Sequence, residues 1–274
     1  MSNITHPLAG SRLRAVAAGS GDLSVEVGED FVATVEIHRP PNNHFDVALV
    51  MALAETYEAL DRDPACRAIM LCSEGKHFCA GAQLAAGGAA AEGELQAGAV
   101  YEGAVRMFSC ALPVVAAVQG AAVGGGLGLA LSADFRVASP QTRMWPNFSR
   151  LGFHHGFGMT ITLPAAVGPQ RALELLLTGR RVDGEEALSL GLCDRLAAAE
   201  QVRVEAHALA RELAGAAPLA VRSIRQTLRT EFVERIRSAT EREGAEQGRL
   251  MQTEDFSEGV RAVAERRAPH FRGR

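Results

Sequence analysis

Apolar and polar residues alternate along LSVEV (23–27) and FVATVEI (31–37), on either side of the polar GED. This is the period of half-buried strands and predicts a hairpin. RPPNNHFD interrupts the pattern, and VALVMALAETYEALDRD then places apolar residues at three- and four-residue spacing, a helix ending before Pro64. RAIMLCS (67–73) and PVVAAVQG (113–120) are continuous apolar runs bounded by turn residues, as buried parallel strands are. Each feeds a glycine-containing turn and then a helix. That repeated order predicts an α/β core rather than a helical bundle or a sandwich.

The stretch AAGGAAAEGELQAGA (85–99) is small, polar and glycine-broken, and it reads as a mobile loop and a candidate lid. After FRVAS (135–139) and the irregular QTRMWPNFSRLGFHHGFG, helix is expected from about residue 159 onward, with one short apolar run at GLCDRL. PLAVRSIRQTLRTEFVERIRSATERE and EDFSEGVRAVAERR have amphipathic spacing. More C-terminal helix than a sheet can cover implies burial against other subunits. The chain therefore divides into a loose tail (1–20), an α/β core (21–200) and a C-terminal helical region (201–274), without internal repeats.

Composition narrows the function classes. The 274 residues are 47% hydrophobic and 22% charged, enough for one packed domain, or one domain with a smaller appendage. A net charge of −4 supplies no excess of cations for neutralising phosphates, so nucleic acid is not an expected partner. The N-terminus has no apolar leader core, and no window approaches the roughly 20 apolar residues needed to span a bilayer; a cytoplasmic protein without a membrane partner is expected. Cys66, Cys72, Cys79, Cys110 and Cys193 show neither a CxxC pair nor a metal-ligand spacing, which predicts buried, reduced thiols and no metal. Against 27 arginines stands a single lysine, Lys76, so any Schiff base would have to form there.

Two turns carry the candidate chemistry. KHFCAGAQL (76–84) follows a buried strand, and its small residues Ala80, Gly81 and Ala82 let a ligand approach the main chain. In QGAAVGGGLGLALSADF (119–135) a strand ends in three glycines that open a helix, where free N–H groups and the positive end of the helix dipole coincide. Together the turns can aim two donors at one oxygen, such as a thioester carbonyl gaining enolate charge. The glycines can equally serve only close packing of helix on strand. A dinucleotide fingerprint fails, because its last glycine would fall on Leu129 or Leu131. No Walker lysine, GxSxG elbow or HExxH motif is present.

At these residues the sequence resembles the enoyl-CoA hydratase/isomerase (crotonase) superfamily. HRPPNN, KHFCAGAQL, PVVAAVQGAAVGGGLGLALSADFRVAS, LTGRRVDGEEALSLGLCDRL and EGVRAVAERRAPHFRGR occur in the family's order and spacing, from about residue 23 to the C-terminus. The resemblance implies a spiral of strand, strand, helix units and a C-terminal helical region that builds homotrimers or dimers of trimers. It implies a CoA thioester as substrate, in fatty acid metabolism or related chemistry, with no separate cofactor. The family's oxyanion hole falls on the N–H groups of Ala82 and Gly125. Ala80, Gly81, Gln83 and Leu84 would hold the thioester and the CoA adenine, Lys76 would lie near the CoA phosphates, and Arg266 and Phe271 would reach the CoA of a neighbouring subunit. For Lys76 the plainer reading is a surface cation, and for Arg266 and Phe271 it is interface packing.

The acid/base positions depart from the family. The two glutamates of typical hydratases fall on Gly128 and Phe148, and an aspartate position of dienoyl-CoA isomerases and of the 4-chlorobenzoyl-CoA dehalogenase falls on Gly156. None of the three can take a proton. His154 and His155 are the nearest titratable replacements, though adjacent residues on a loop are expected to point in different directions, so at most one should face the thioester. His44, Glu92, Glu94 and Glu102 are weaker candidates. Three readings stay open: an enzyme acting on enoyl-CoA or another acyl-CoA with relocated acid/base groups; another superfamily reaction such as thioester hydrolysis, decarboxylation or ring chemistry; or a CoA-ligand binding protein without chemistry.

Overall fold

The computed structural model describes residues 21–82 and 90–274, with the side chains of 90–97 left out. The predicted hairpin is present as β1 (Leu23–Val27) and β2 (Val32–Ile37), paired antiparallel with Val25 opposite Val35. β3 (Ala68–Ser73), β4 (Val114–Val118), β6 (Phe135–Ala138) and β9 (Arg195–Leu196) extend it by parallel pairing into a sheet of order β1-β2-β3-β4-β6-β9. β3 and β4 are buried at every position, as their continuous apolar runs require. A second sheet, β5 (Ala121–Val123), β7 (Arg143–Trp145) and β8 (Val182–Asp183), was not foreseen, because strands of two or three residues are too short to display a period.

Alternate residues of β3 sort the core into two layers. Ala68, Met70 and Cys72 pack with Val202, Ala206, Leu209 and Ala210 of α7 (Val202–Ala214). Ile69 and Leu71 face the other side with α1 (Val47–Arg62), α2 (Ala90–Phe108) and α3 (Gly125–Ser132). So α7, from the C-terminal region, is itself a layer on the sheet. The five cysteines are buried and free.

α1 begins where predicted: Asp46 caps it by accepting from Leu49 N at 2.9 Å, a contact worth ~1 kcal/mol. The loop and lid expected over 85–99 is corrected from Ala90 onward, where α2 starts. Its alanines favour helix, and Tyr101, Ala104, Val105, Met107 and Phe108 bury one face, offsetting the ~1 kcal/mol that each helical glycine costs. Residues 83–89 lie outside the described part, as does the expected tail 1–20.

α4 (Met159–Val167), α5 (Pro169–Thr178), α6 (Gly184–Leu190), α8 (Pro218–Leu250) and α9 (Glu254–Ala264) complete the helical part. The buried positions of α8 include Val233, Ile236, Thr240, Glu243 and Gln247, the three- and four-residue spacing of one face. Several of them are polar, so this face is not an apolar stripe. Arg225 and Arg229 tie the helix to Asp134 at the start of β6; burial pushes that carboxyl up, but the two guanidiniums outweigh it and hold it below the usual range. No described helix is long and apolar enough to cross a membrane.

Candidate active site

Three short segments meet at the two turns singled out in the sequence. The first is the turn after β2. Asn43, fully buried and in the left-handed region at φ 50°, sends its side-chain amide to the carbonyls of Glu74 (2.8 Å) and His77 (2.6 Å). Asn42 O accepts from Ala80 N at 2.9 Å, and Phe45 N donates to Gly81 O at 3.1 Å. This stitching fixes segment 74–82 against the end of β2.

The second segment is CAGA itself. Cys79 N donates to Ala121 O and Cys79 O accepts from Val123 N, both at 3.0 Å, so the turn lies along β5. Gly81 has φ +100°, a conformation that L side chains rarely adopt. A β-carbon there would stand 2.9 Å from Val123 O and 3.9 Å from Gly125 N. The two turns are therefore in van der Waals contact.

The third segment opens α3. Gly124 caps the helix at φ 54°, ψ −123° and donates to Trp145 O at 2.8 Å. Gly125 is the first helical residue, and its N–H has no acceptor within the helix. Among the described residues no hydrogen bond engages the N–H of Gly125 or of Ala82. The glycines also serve packing: a β-carbon at Gly125 would lie 2.5 Å from Phe45 Cζ, and one at Gly126 would collide with Cys79 O. Packing and donor supply thus act at the same positions.

The three positions at which the resemblance puts carboxylates are closed. A β-carbon at Gly128 would lie 2.5 Å from that of Phe157, a buried residue held at φ 61°. Phe148 is buried and packs on Phe153, which in turn packs on Phe256, with ring centroids 5.3 and 5.2 Å apart. A side chain at Gly156 would collide with the Tyr101 hydroxyl, which donates to Gln247 at 2.6 Å. Phe45 thus lies against Gly125, and Phe157 against Gly128 and Phe45, while a β-carbon at Gly124 would meet Asn147 Oδ1 at 3.1 Å and Phe148 Cζ at 3.8 Å.

His154 and His155 do not diverge as expected. Their rings stack, 4.1 Å between centroids and 26° between planes. His154 Nδ1 donates to His155 O at 2.7 Å, which fixes its tautomer and leaves Nε2 as the basic nitrogen. The Thr160 hydroxyl donates to Glu243 at 2.6 Å, so it accepts from His155 Nε2 at 2.9 Å. Glu243 is fully buried and also accepts from Gly158 N and Thr160 N, both at 2.8 Å, capping α4 from across the fold. Burial raises the pKa of that carboxyl. Burial, and secondarily His154, pushes His155 down to about 4, so its ring is neutral near pH 7. The hydrogen bonds of both rings lie within their own loop and α4 rather than on the Ala82 and Gly125 turns.

The remaining candidates are scattered. His44 is half-buried and its Nδ1 lies 3.2 Å from Gly81 O. Lys76 is exposed. Burial first, then Arg143 and Lys76, lowers the pKa of His77, so these two cations share one neighbourhood; Arg143 was not anticipated, because only strand pairing brings β7 there. Ala80 is half-buried, Glu102 is exposed on α2, and Arg266 and Phe271 are exposed in the single chain. Gln83 and Leu84, and the side chains of Glu92 and Glu94, lie outside the described residues. Ser24, His38 and Glu74 form a hydrogen-bonded chain of 2.7 and 2.9 Å with triad-like order. The backbone N–H groups of His38 and Glu74 are already given to Asp22 O and Ile37 O, so neither serves that serine as an oxyanion donor.

Comparison with known proteins identifies the family. The family model described as enoyl-CoA hydratase/isomerase matches residues 28–274. A Bacillus subtilis protein named probable enoyl-CoA hydratase is 33% identical over 249 residues, covering 89% of this chain and 96% of its own. A carnitinyl-CoA dehydratase of Proteus mirabilis is 32% identical over 259 residues, covering 89% and 95%. The crystal structure of an enoyl-CoA hydratase/isomerase from Pseudoalteromonas atlantica superposes with a TM-score of 0.80 at 30% identity, covering 92% of this chain and all of that one. The chain belongs to the enoyl-CoA hydratase/isomerase family of acyl-CoA enzymes.

Proposed function

We propose that the protein binds an acyl-CoA thioester with its carbonyl oxygen between the N–H groups of Ala82 and Gly125, and that these donors stabilise the enolate. The observation that carries this reading is the contact of two turns whose N–H groups are both unengaged among the described residues. One such donor is worth ~3 kcal/mol in the transition state, most where water is excluded; Phe45, Phe148 and Phe157 make one side apolar, whereas Ala82 is exposed in the single chain. Ala80, Gly81, Gln83 and Leu84 would line the thioester and adenine, with Lys76 near the phosphates. Both donors are backbone groups, so the reading needs no metal or redox cofactor.

For proton transfer the geometry favours His154 over His155. His154 has its Nδ1 proton held by a carbonyl and Nε2 left to act, whereas His155 is held by Thr160 and is a weak base. The three closed carboxylate positions also favour a second reaction type. In decarboxylation the substrate's own C–C bond breaks, CO2 leaves, and the bonding pair becomes the enolate held by Ala82 and Gly125; a proton from water then completes the product. That chemistry needs no positioned base. Assembly as trimers or dimers of trimers is supported by Leu219, Ile224 and Leu228, 82%, 61% and 74% exposed on one end of α8. In such an assembly Arg266 and Phe271 would face a neighbour's CoA.

The test is a panel of enoyl-, saturated and malonyl-type CoA thioesters incubated with the protein and read by mass. Conversion of at least one member, lost in Ala82→Pro, supports the enzymatic reading. Binding without any conversion supports a CoA-ligand protein instead.

A further inference from the structure

We infer that His44 is a positioning residue for the Ala82 donor, acting through the far side of the same peptide; the inference rests on the oxyanion reading above. Gly81 O and Ala82 N belong to one planar trans peptide, so the N–H points opposite to the carbonyl. Whatever holds that carbonyl aims that N–H. Gly81 O accepts from Phe45 N at 3.1 Å, from His44 Nδ1 at 3.2 Å and, weakly, from the Cys79 thiol at 3.9 Å. A carbonyl oxygen only accepts, so the proton of His44 sits on Nδ1.

The two nitrogen donors do more than fix the direction of this carbonyl. They draw electron density toward oxygen, strengthen the partial double bond of the amide, and leave the N–H more positive, the cooperative effect seen along hydrogen-bonded chains. His44 itself is held in place: Arg39 Nη1 reaches His44 O at 3.4 Å and Asp46 at 2.9 Å, and the buried Asn43 ties the preceding residue to segment 74–77. The following residue, Phe45, lies with its ring against Gly125. The dipeptide His44–Phe45 thus sets both donors, Ala82 by hydrogen bonds on its peptide and Gly125 by packing on its Cα. A flexible glycine at residue 81, with φ +100°, has no side chain of its own to do this.

The test uses crotonyl-CoA labelled with carbon-13 at the thioester carbonyl, bound to the full-length protein, and isotope-edited infrared difference spectra. Donors on the carbonyl lower its stretching frequency. The native protein should show a clear downshift from the frequency in water. His44→Leu should lose a measurable part of that shift, and His44→Gln, which restores an amide N–H within reach of Gly81 O, should regain part of it. For any thioester that is turned over, kcat should fall about fivefold in His44→Leu with KM changed less than roughly twofold. A downshift identical in native and His44→Leu protein overturns the role of His44 and leaves the oxyanion reading standing. An unshifted carbonyl in the native protein overturns the oxyanion reading, and the role of His44 with it. If His44→Leu does not fold, the imidazole tautomer in the native protein decides, by long-range nitrogen–proton NMR: a proton on Nδ1 supports the inference, and a neutral ring protonated only at Nε2 overturns it.

Discussion

The β-carbon of Phe157 occupies the space that a side chain at Gly128 would need, 2.5 Å from where its first carbon would stand. Phe157 fills that space, at φ 61°, and packs edge-on against Phe45 at 5.5 Å. Gly128→Glu should lower stability by ~3 kcal/mol or more, from overpacking and an unpaired buried carboxylate, and should not create hydratase activity. Denaturant unfolding checks the first expectation. Adding Phe157→Ala to the same chain should recover part of the loss.

Hydration of crotonyl-CoA should be slow. Each general acid or base contributes roughly 100- to 10,000-fold, and Gly128 and Phe148 supply neither. A steady-state rate approaching that of a two-glutamate hydratase would mean the pair has been replaced efficiently. Comparison of His154→Ala with His155→Ala would then identify the replacement, with His154→Ala expected to be the slower.

Stability should depend on pH through His155. Its folded pKa of about 4 lies below the ordinary 6.5, so between these values the unfolded chain binds more protons than the folded one. The contribution is complete above pH 6.5 and is lost as the pH falls toward 4, with a ceiling of ~3 kcal/mol. Melting temperatures across that window should fall less steeply in His155→Gln. A parallel decline in both proteins would show that the ring does not titrate as the structure implies.

The protein should sediment as a trimer or hexamer. Leu228→Glu and Ile224→Glu, placed on exposed apolar positions of α8, should shift it toward the single chain. Light scattering at micromolar concentration reads this directly, and a monomeric native mass would sink the assembly.

The alternating and continuous runs of β1 to β4 were legible because their period or apolar length exceeds that of chance. The turns at Ala82 and Gly125 were legible from small residues placed between strand and helix. Their contact was not, since it is made by backbone pairing of residues some forty apart in sequence. The start of α2 at Ala90 was obscured by glycines that tertiary packing overrides. Nor could spacing foresee that Glu243, 85 residues after Gly158, caps α4 and holds the His155 loop. That bond is a property of the folded core, and with it the stacked histidines become a supporting ring and a ring whose Nε2 has no partner among the described residues.

The two backbone donors should recognise the thioester carbonyl itself. Calorimetric titration with butyryl-CoA, with the thioether analogue in which its carbonyl is a methylene, and with free butyrate tests it most directly. The thioester should bind about tenfold more tightly than the thioether, the worth of one or two neutral hydrogen bonds, and butyrate should give no measurable heat. Thioether and thioester binding with equal affinity would contradict the account.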